Sequence, residues 1–190
     1  VKLISRHITP GSLAVDIGAN IGDHTIGYLQ AVGLNGSVVA YEPHPVLYEC
    51  LCRNCPEAIN FPYALGDHIG IEQLHMEPGD DAGSSYIRGH PEDLPVKMST
   101  LDEDLSDIVA YRPLSLIKID AEGCEPEILK GGEETIRVHH PTLVIEVNRH
   151  TLSHRGHTAK DIKDFLDKHK YRHHFISGNW SSERTDIICL

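Results

Sequence analysis

The chain has 190 residues, 40% hydrophobic and 24% charged, which suits one soluble globular domain with a sizeable core, or a domain carrying a small insertion. Asp and Glu number 28 against 17 Lys and Arg, a formal net charge of -11. That excess argues against a broad nucleic-acid footprint, which needs clustered cations, and mildly favours neutral or cationic ligands.

The five cysteines, at 50, 52, 55, 124 and 189, are odd in number and form no spaced framework, so they read as reduced thiols of a cytoplasmic protein. Cys50, Cys52 and Cys55 fall in a predicted helix, where two-residue steps point about 200° apart, so the three do not converge on one metal ion. The opening residues lack the pattern of a signal peptide, and no apolar run approaches the roughly 18 residues of a membrane span. The chain starts on Val1 rather than Met, which leaves room for a preceding segment.

Strand and helix alternate from the start. Leu13-Ala14-Val15-Asp16-Ile17 is a short apolar run ending at Gly18, the profile of a strand buried on both faces. Residues 20–32 carry Ile21, Thr25, Tyr28, Leu29 and Val32 near helical spacing, and Gly33 with Asn35-Gly36 ends that helix. Residues 37–41 form the second strand, and residues 45–55 the second helix, with Pro45 in its first turn. Residues 59–65 supply a third strand, stopped by Gly66-Asp67.

The rhythm then changes. Residues 71–76, 84–88 and 96–101 read as extended segments, an inserted hairpin in place of a crossover helix, and residues 102–111 hold a short helix. Alternation resumes with a fourth main strand at 114–120 and a helix from Cys124, broken at Gly131-Gly132 and continued at 133–139. A fifth strand follows at 142–147. Thr158 with Asp161 starts a further helix as a capping box, and Ile162, Phe165, Leu166 and His169 continue one face. Residues 171–176 and 187–190 are the last two strands, too close for an intervening helix and therefore antiparallel. The pattern predicts a three-layer α/β sandwich with seven main strands, in one domain spanning 1–190 with an extended insertion at about 70–101.

The polar residues of interest sit where strands end: Asp16, Glu42, Asp67, Asp120 and Glu146. Ligands of open α/β sheets bind beyond those carboxyl ends. In Asp16-Ile17-Gly18-Ala19-Asn20-Ile21-Gly22, Gly18 permits a turn and close ligand approach, Gly22 lets the next helix pack near the loop, and the helix start offers free N–H groups to a carboxylate. Asp16 faces an amino group or organises the loop. Glu42 stands twenty residues after Gly22, where a carboxylate accepts both hydroxyls of a ribose. The glycines run G-x-x-x-G rather than G-x-G-x-x-G, which separates this loop from the dinucleotide fingerprint. The phosphate-binding P-loop, the Gly-x-Ser-x-Gly elbow and His-Glu-x-x-His are all missing from the sequence.

These blocks resemble the FkbM-type methyltransferases. The matching pieces begin with Val15-Asp16-Ile17-Gly18-Ala19-Asn20-Ile21-Gly22-Asp23-His24-Thr25 and Tyr41-Glu42-Pro43-His44-Pro45. Asn60, Ala64-Leu65-Gly66-Asp67, Gly70 and Thr100-Leu101-Asp102 follow. Leu116-Ile117-Lys118-Ile119-Asp120-Ala121-Glu122-Gly123-Cys124-Glu125, Leu129-Lys130-Gly131 and Glu146 complete the series, in the family's order. The resemblance implies a Rossmann-like class I fold and methyl transfer from S-adenosylmethionine, usually to a hydroxyl oxygen of a sugar, glycoside or natural product. By the same likeness Asp16, Gly18, Asn20 and Gly22 shape the methionine end of the cofactor, Glu42 binds the ribose, and Asp67 follows the strand where adenine-side contacts occur. Asp120, Glu122, Glu125 and Glu146 belong to the acidic blocks near the reacting centre, with Asp120 counted among both cofactor-binding and catalytic residues. Cys124 replaces a small or aromatic family residue and reads as a packing variant.

Direct methyl transfer asks the protein for alignment and for an acceptor of the substrate's proton. The candidate bases are Asp120, Glu122, Glu146 and His150. His24, early in the first helix, reads as a cap or surface residue. No metal is expected, although Asp120, Glu146 and Asn148 form a rival set of oxygen ligands for Mg²⁺. The polar segment 77–95 has two readings: a mobile cover over the acceptor site, with Gly79, Gly83 and Gly89 permitting movement and Tyr86 and Arg88 reaching the substrate, or a mobile surface hairpin with no catalytic part. The expected partner is a small-molecule acceptor, with no nucleic acid or membrane. Two other readings stand beside this one: an oxidoreductase on the same fold, and an inactive cofactor-binding or protein-interaction scaffold.

Overall fold

The computed structural model describes residues 3–76, 85–87, 90–109 and 111–190. After one 3₁₀ turn (Ile4–His7), the main sheet starts with β1 (Leu13–Ile17), α1 (Asp23–Val32), β2 (Ser37–Tyr41), α2 (Pro45–Asn54) and β3 (Ile59–Phe61). A second sheet follows, from β4 (Ala64–Leu65), β5 (Gly70–His75), β6 (Tyr86–Ile87) and β7 (Leu94–Ser99). Next come α3 (Leu101–Leu105), β8 (Leu114–Ile119), α4 (Glu125–Gly131), α5 (Glu133–His139) and β9 (Thr142–Asn148). The chain closes with α6 (Arg149–His154), α7 (Ala159–Lys168), β10 (His173–Phe175) and β11 (Arg184–Cys189).

The main sheet has seven strands in the order β10-β11-β9-β8-β1-β2-β3. All neighbouring pairs from β9 to β3 are parallel, and β11 runs antiparallel to both β9 and β10. The chain winds outward from β1 in both directions, so β1 and β8 meet at the reversal of strand order where an open sheet leaves a crevice. β1 is buried along its whole length, and alternate residues serve two cores. Leu13, Val15 and Ile17 join the larger cluster, while Ala14 packs with Val38, Leu116, Val144 and the α1 residues Tyr28 and Val32.

Three local features depart from the sequence expectation. The predicted strand 59–65 is split, because β3 pairs with β2 whereas β4 leaves to pair with β7. The insertion is therefore more than a hairpin: β5 is antiparallel to both β6 and β7, and β4 extends the set to a four-stranded sheet. α6, which lacks a strong apolar repeat, starts at an Asn148 cap that accepts the His150 N–H, and it buries Thr151 and Leu152. The capping box of Thr158 and Asp161 is present at α7. No helix among the described residues is long and apolar enough to cross a membrane.

Candidate active site

A cavity of about 540 Å³ opens beyond the carboxyl ends of β1, β2 and β8, and Leu74 and Ile87 of the second sheet, with Ser85 just before β6, close one side of it. Strand register decides which residues share this edge. Asp16 is opposite Ala40 on β2 and Lys118 on β8, Lys118 is opposite Val144 on β9, and Glu146 is opposite Asp186 on β11. Because side chains alternate, Asp16, Glu42, Lys118, Asp120, Glu146 and Arg184 fall on one face of the sheet, at its carboxyl edge.

Gly18 and Asn20 line the cavity. Gly18 has φ +74°, and a Cβ there would stand 1.8 Å from the backbone oxygen of Asp120, so only glycine lets the two loops meet. Asn20 is itself left-handed at φ +52°. Its N–H donates to Glu42 Oε2 at 2.8 Å, and the His44 N–H donates to Oε1 at 2.8 Å. These two bonds aim a buried carboxylate along the cavity wall. Burial pushes the Glu42 carboxyl up to about 7, against the pull of both N–H groups.

Gly22 and Asp16 lie behind this surface. Gly22 packs the start of α1 against Cys55 and Leu51 of the α2 region. Asp16, fully buried, accepts a 2.7 Å bond from Thr25 and stands 3.7 Å from Lys118 Nζ; its Oδ1 has no hydrogen-bond partner among the described residues. Asp67 is outside the cavity lining. It is tied to Lys130 at 2.6 Å and His68 at 3.1 Å, which hold its carboxyl below the usual range. Tyr63 with Ala64 and Leu65 of β4 lines this part of the cavity, and the chain has left the wall before Asp67 is reached.

The acidic blocks separate into distinct positions. Asp120 and Glu122 line the cavity; Glu146 and His150 do not. Asp120 Oδ2 accepts a 3.1 Å bond from Lys118 Nζ. Burial opposes ionisation of Asp120, but Lys118, a hydrogen bond from Glu146 and the nearby Arg184 outweigh it and hold the carboxyl low. Glu146 carries the opposite shift, raised by burial and by the Asp120 charge, and Arg184 Nε donates to its Oε1 at 2.6 Å. Glu122 is left-handed at φ +46° and accepts a 3.3 Å bond from Asn148 Nδ2; burial raises its carboxyl, with the Asp120 charge adding to the effect. Glu125 faces away from the cavity and accepts the Ala121 and Gly123 N–H groups, holding the turn that presents Glu122. His150 is exposed on α6 beside His154.

Asp120, Glu122 and Glu146 each bring an oxygen within 4.8 Å of the others, close enough to share a cation. Lys118 and Arg184 already stand against two of them. The Asn148 oxygen of the rival ligand set is occupied by the His150 N–H, and its amide nitrogen turns to Glu122.

Several lining residues escaped the sequence reading. His24, read as a cap or surface residue, forms part of the wall, and burial followed by the Lys118 charge lowers its imidazole. Lys118 carried a signal, a lone cation inside an apolar strand; Arg184 carried none, since it reaches the site from the last strand. Tyr86 meets His75 and His154 rather than the cavity, because its neighbours Ser85 and Ile87 take the inward positions. Arg88, Gly79, Gly83 and Gly89 lie outside the described residues.

The strand order with its single antiparallel β11, and a cavity at the β1–β8 reversal, define a Rossmann-like class I methyltransferase fold. The chain belongs to the FkbM methyltransferase family: the Methyltransferase FkbM domain model matches residues 16–173. It is 25% identical over 175 residues to the hexuronic acid methyltransferase AglP of Haloferax volcanii, covering 90% of this chain and 67% of that protein. The crystal structure of an FkbM methyltransferase from Methylobacillus flagellatus superposes on all of this chain with TM-score 0.63 at 17% identity, and this chain spans 50% of its length. Aeropyrum pernix fibrillarin, solved with natively bound S-adenosyl-L-methionine, matches 97% of this chain and 68% of its own at TM-score 0.54 and 12% identity.

Proposed function

We propose that the protein transfers a methyl group from S-adenosylmethionine to a hydroxyl oxygen of a small polyhydroxylated acceptor such as a sugar or glycoside. The observation that carries this reading is a single cavity lined by Gly18, Asn20 and Glu42 on one side and Asp120 and Glu122 on the other. The residues fit the cofactor: Gly18 lets the loops after β1 and β8 close together at the cavity wall, and Glu42 is already aimed by two backbone donors. Glu42 would hold the ribose hydroxyls, the Gly18–Asn20 loop the methionine end, and Tyr63 with Leu65 the adenine side, in place of Asp67. When bound, the cofactor supplies a methyl carbon activated by its sulfonium.

The chain's own part is orientation and proton transfer. Glu122 is the proton acceptor in this reading, because it lines the cavity and burial raises its carboxyl, which makes it a stronger base than an exposed glutamate. Asp120, kept anionic by Lys118, would face a cationic group bound in the cavity, and Arg184 would offer donors to acceptor oxygens at the rim. Carboxylate acceptors beside a guanidinium donor suit a polyol, whose hydroxyls both donate and accept. The AglP likeness supports a sugar acceptor. Transfer is read as metal-free, Lys118 and Arg184 supplying the positive charge.

Calorimetry with S-adenosylmethionine, S-adenosylhomocysteine and NAD tests the cofactor, and a screen of hydroxylated sugars and glycosides with product mass as readout tests the acceptor. Binding of both sulfur ligands with no comparable NAD binding is expected. Tight NAD binding by a folded protein that ignores both sulfur ligands would overturn the reading.

A further inference from the structure

Lys118 is the least expected residue of β8. The strand reads Leu114–Ile119 with every residue but Ser115 buried, and Lys118 itself is 6% exposed. A buried ammonium is costly unless paired, and a strand needs no cation at that position for its own sake. Register supplies one pair: Lys118 is the direct neighbour of Asp16 on β1, side by side on the same face. The second partner is Asp120, two residues on and therefore also on that face, at 3.1 Å.

The contacts continue on either side. Thr25 of α1 donates to Asp16, while Asp120 faces Glu146 of β9, which is clamped by Arg184 of β11. His24 of α1 and Glu122 also lie within electrostatic range of Asp120. Of these groups, Lys118 is the one whose charged nitrogen bonds Asp120 directly, and both residues form part of the cavity wall. Arg184 pairs with Glu146 and is 57% exposed, so water screens it far more than Lys118.

We infer that Lys118 is a positioning residue for the transfer reaction, fixing the Asp120 carboxylate as an anion turned onto the cavity wall. Its importance for catalysis rests on the proposed function, but its effect on Asp120 does not. With Lys118 in place, two adjacent carboxyls at the ends of β8 and β9 are made unequal: ionisation is favoured at Asp120 and disfavoured at Glu146. Burial lowers the Lys118 ammonium, and Asp16 and Asp120 more than restore it, so the ion pair is maintained through the neutral range. The anion then meets the positive charge of a sulfonium or ammonium without a prior deprotonation.

The test follows the side-chain carboxyl resonances of the ligand-free protein, labelled with ¹³C at aspartate and glutamate, from acid to neutral pH. In the native protein the Asp120 midpoint is expected below that of an ordinary aspartate. In Lys118→Met it rises by at least about one pH unit, the effect of losing an adjacent opposite charge. Lys118→Arg keeps the low midpoint. Lys118→Met combined with Asp16→Asn removes one buried charge of each sign, which protects the fold, and its Asp120 midpoint rises as well. A midpoint that stays low in either Met variant would overturn the inference, leaving Lys118 a packing residue. An ordinary or raised midpoint in the native protein overturns it whether or not any variant folds. Calorimetry with S-adenosylhomocysteine then separates the two readings. Native binding with about tenfold loss in Lys118→Met, growing as the pH falls, supports both. Shifted carboxyl midpoints with no binding by the native protein would sink the cofactor assignment and leave the Lys118–Asp120 relationship standing.

Discussion

The α-carbon of Gly18 faces the backbone oxygen of Asp120 so closely that a methyl group placed on it would lie 1.8 Å from that oxygen. The contact joins the loop after β1 to the loop after β8, and the Asp120 N–H reinforces it by donating to Ile17 at 3.0 Å. Gly18→Ala must therefore separate the two halves of the cavity as well as strain a left-handed φ. We expect a loss of at least about 2 kcal/mol of stability and no measurable S-adenosylhomocysteine binding, read by denaturant titration and calorimetry.

Glu42→Ala should bind S-adenosylhomocysteine at least about tenfold more weakly, since each charge-assisted hydrogen bond to a ribose hydroxyl contributes on the order of 1.5–3 kcal/mol before compensation. Near-native affinity in a well-folded variant would show that the ribose site lies elsewhere.

Glu42 also sets a pH dependence. Its carboxyl in the free protein titrates at about 7, and the ionised form is the one that accepts hydroxyl donors. Affinity should be full above that value and fall as the pH drops through it, with the sign opposite to a histidine-cation interaction. Calorimetry of the native protein against Glu42→Gln checks this, the variant losing the dependence due to this group.

Glu122→Gln should lower turnover of a verified acceptor by about a hundredfold or more while leaving S-adenosylhomocysteine affinity in place, the range expected for removing a positioned base. His150→Ala should leave turnover unchanged, since that ring is exposed on α6 away from the cavity. Equal losses in both variants would return the proton to an undecided group.

Exhaustive EDTA treatment should leave turnover intact. Loss on chelation with recovery on Mg²⁺ would instead assign an ion to the compact oxygen set of Asp120, Glu122 and Glu146.

The alternation of short apolar runs with helical repeats determined the sheet by itself, because strands buried on both faces and helices with one apolar face leave different periodicities. All seven main-sheet strands and the antiparallel last strand were legible in that way. The glycine spacing marked the Asp16–Gly22 loop, whose Gly18 and Gly22 take positive φ, although the Asp120 and Cys55 contacts that also require them come from tertiary packing. Tertiary structure decided what periodicity does not encode. A break after Phe61 sends β4 into the second sheet and takes Asp67 from the cavity to Lys130, although residues 59–65 read as one strand. Register brings Lys118 beside Asp16, and Arg184 onto Glu146 from 38 residues away, neither of which local sequence specifies. Nor does composition tell apart Asp120, Glu122 and Glu146, three carboxyls at strand ends. Their difference comes from what packs against each: an ammonium beside the first, an amide beside the second, and a guanidinium with a carboxyl neighbour beside the third. Charge and burial set by long-range neighbours fix a carboxyl's role, and those neighbours exist only once the chain has folded.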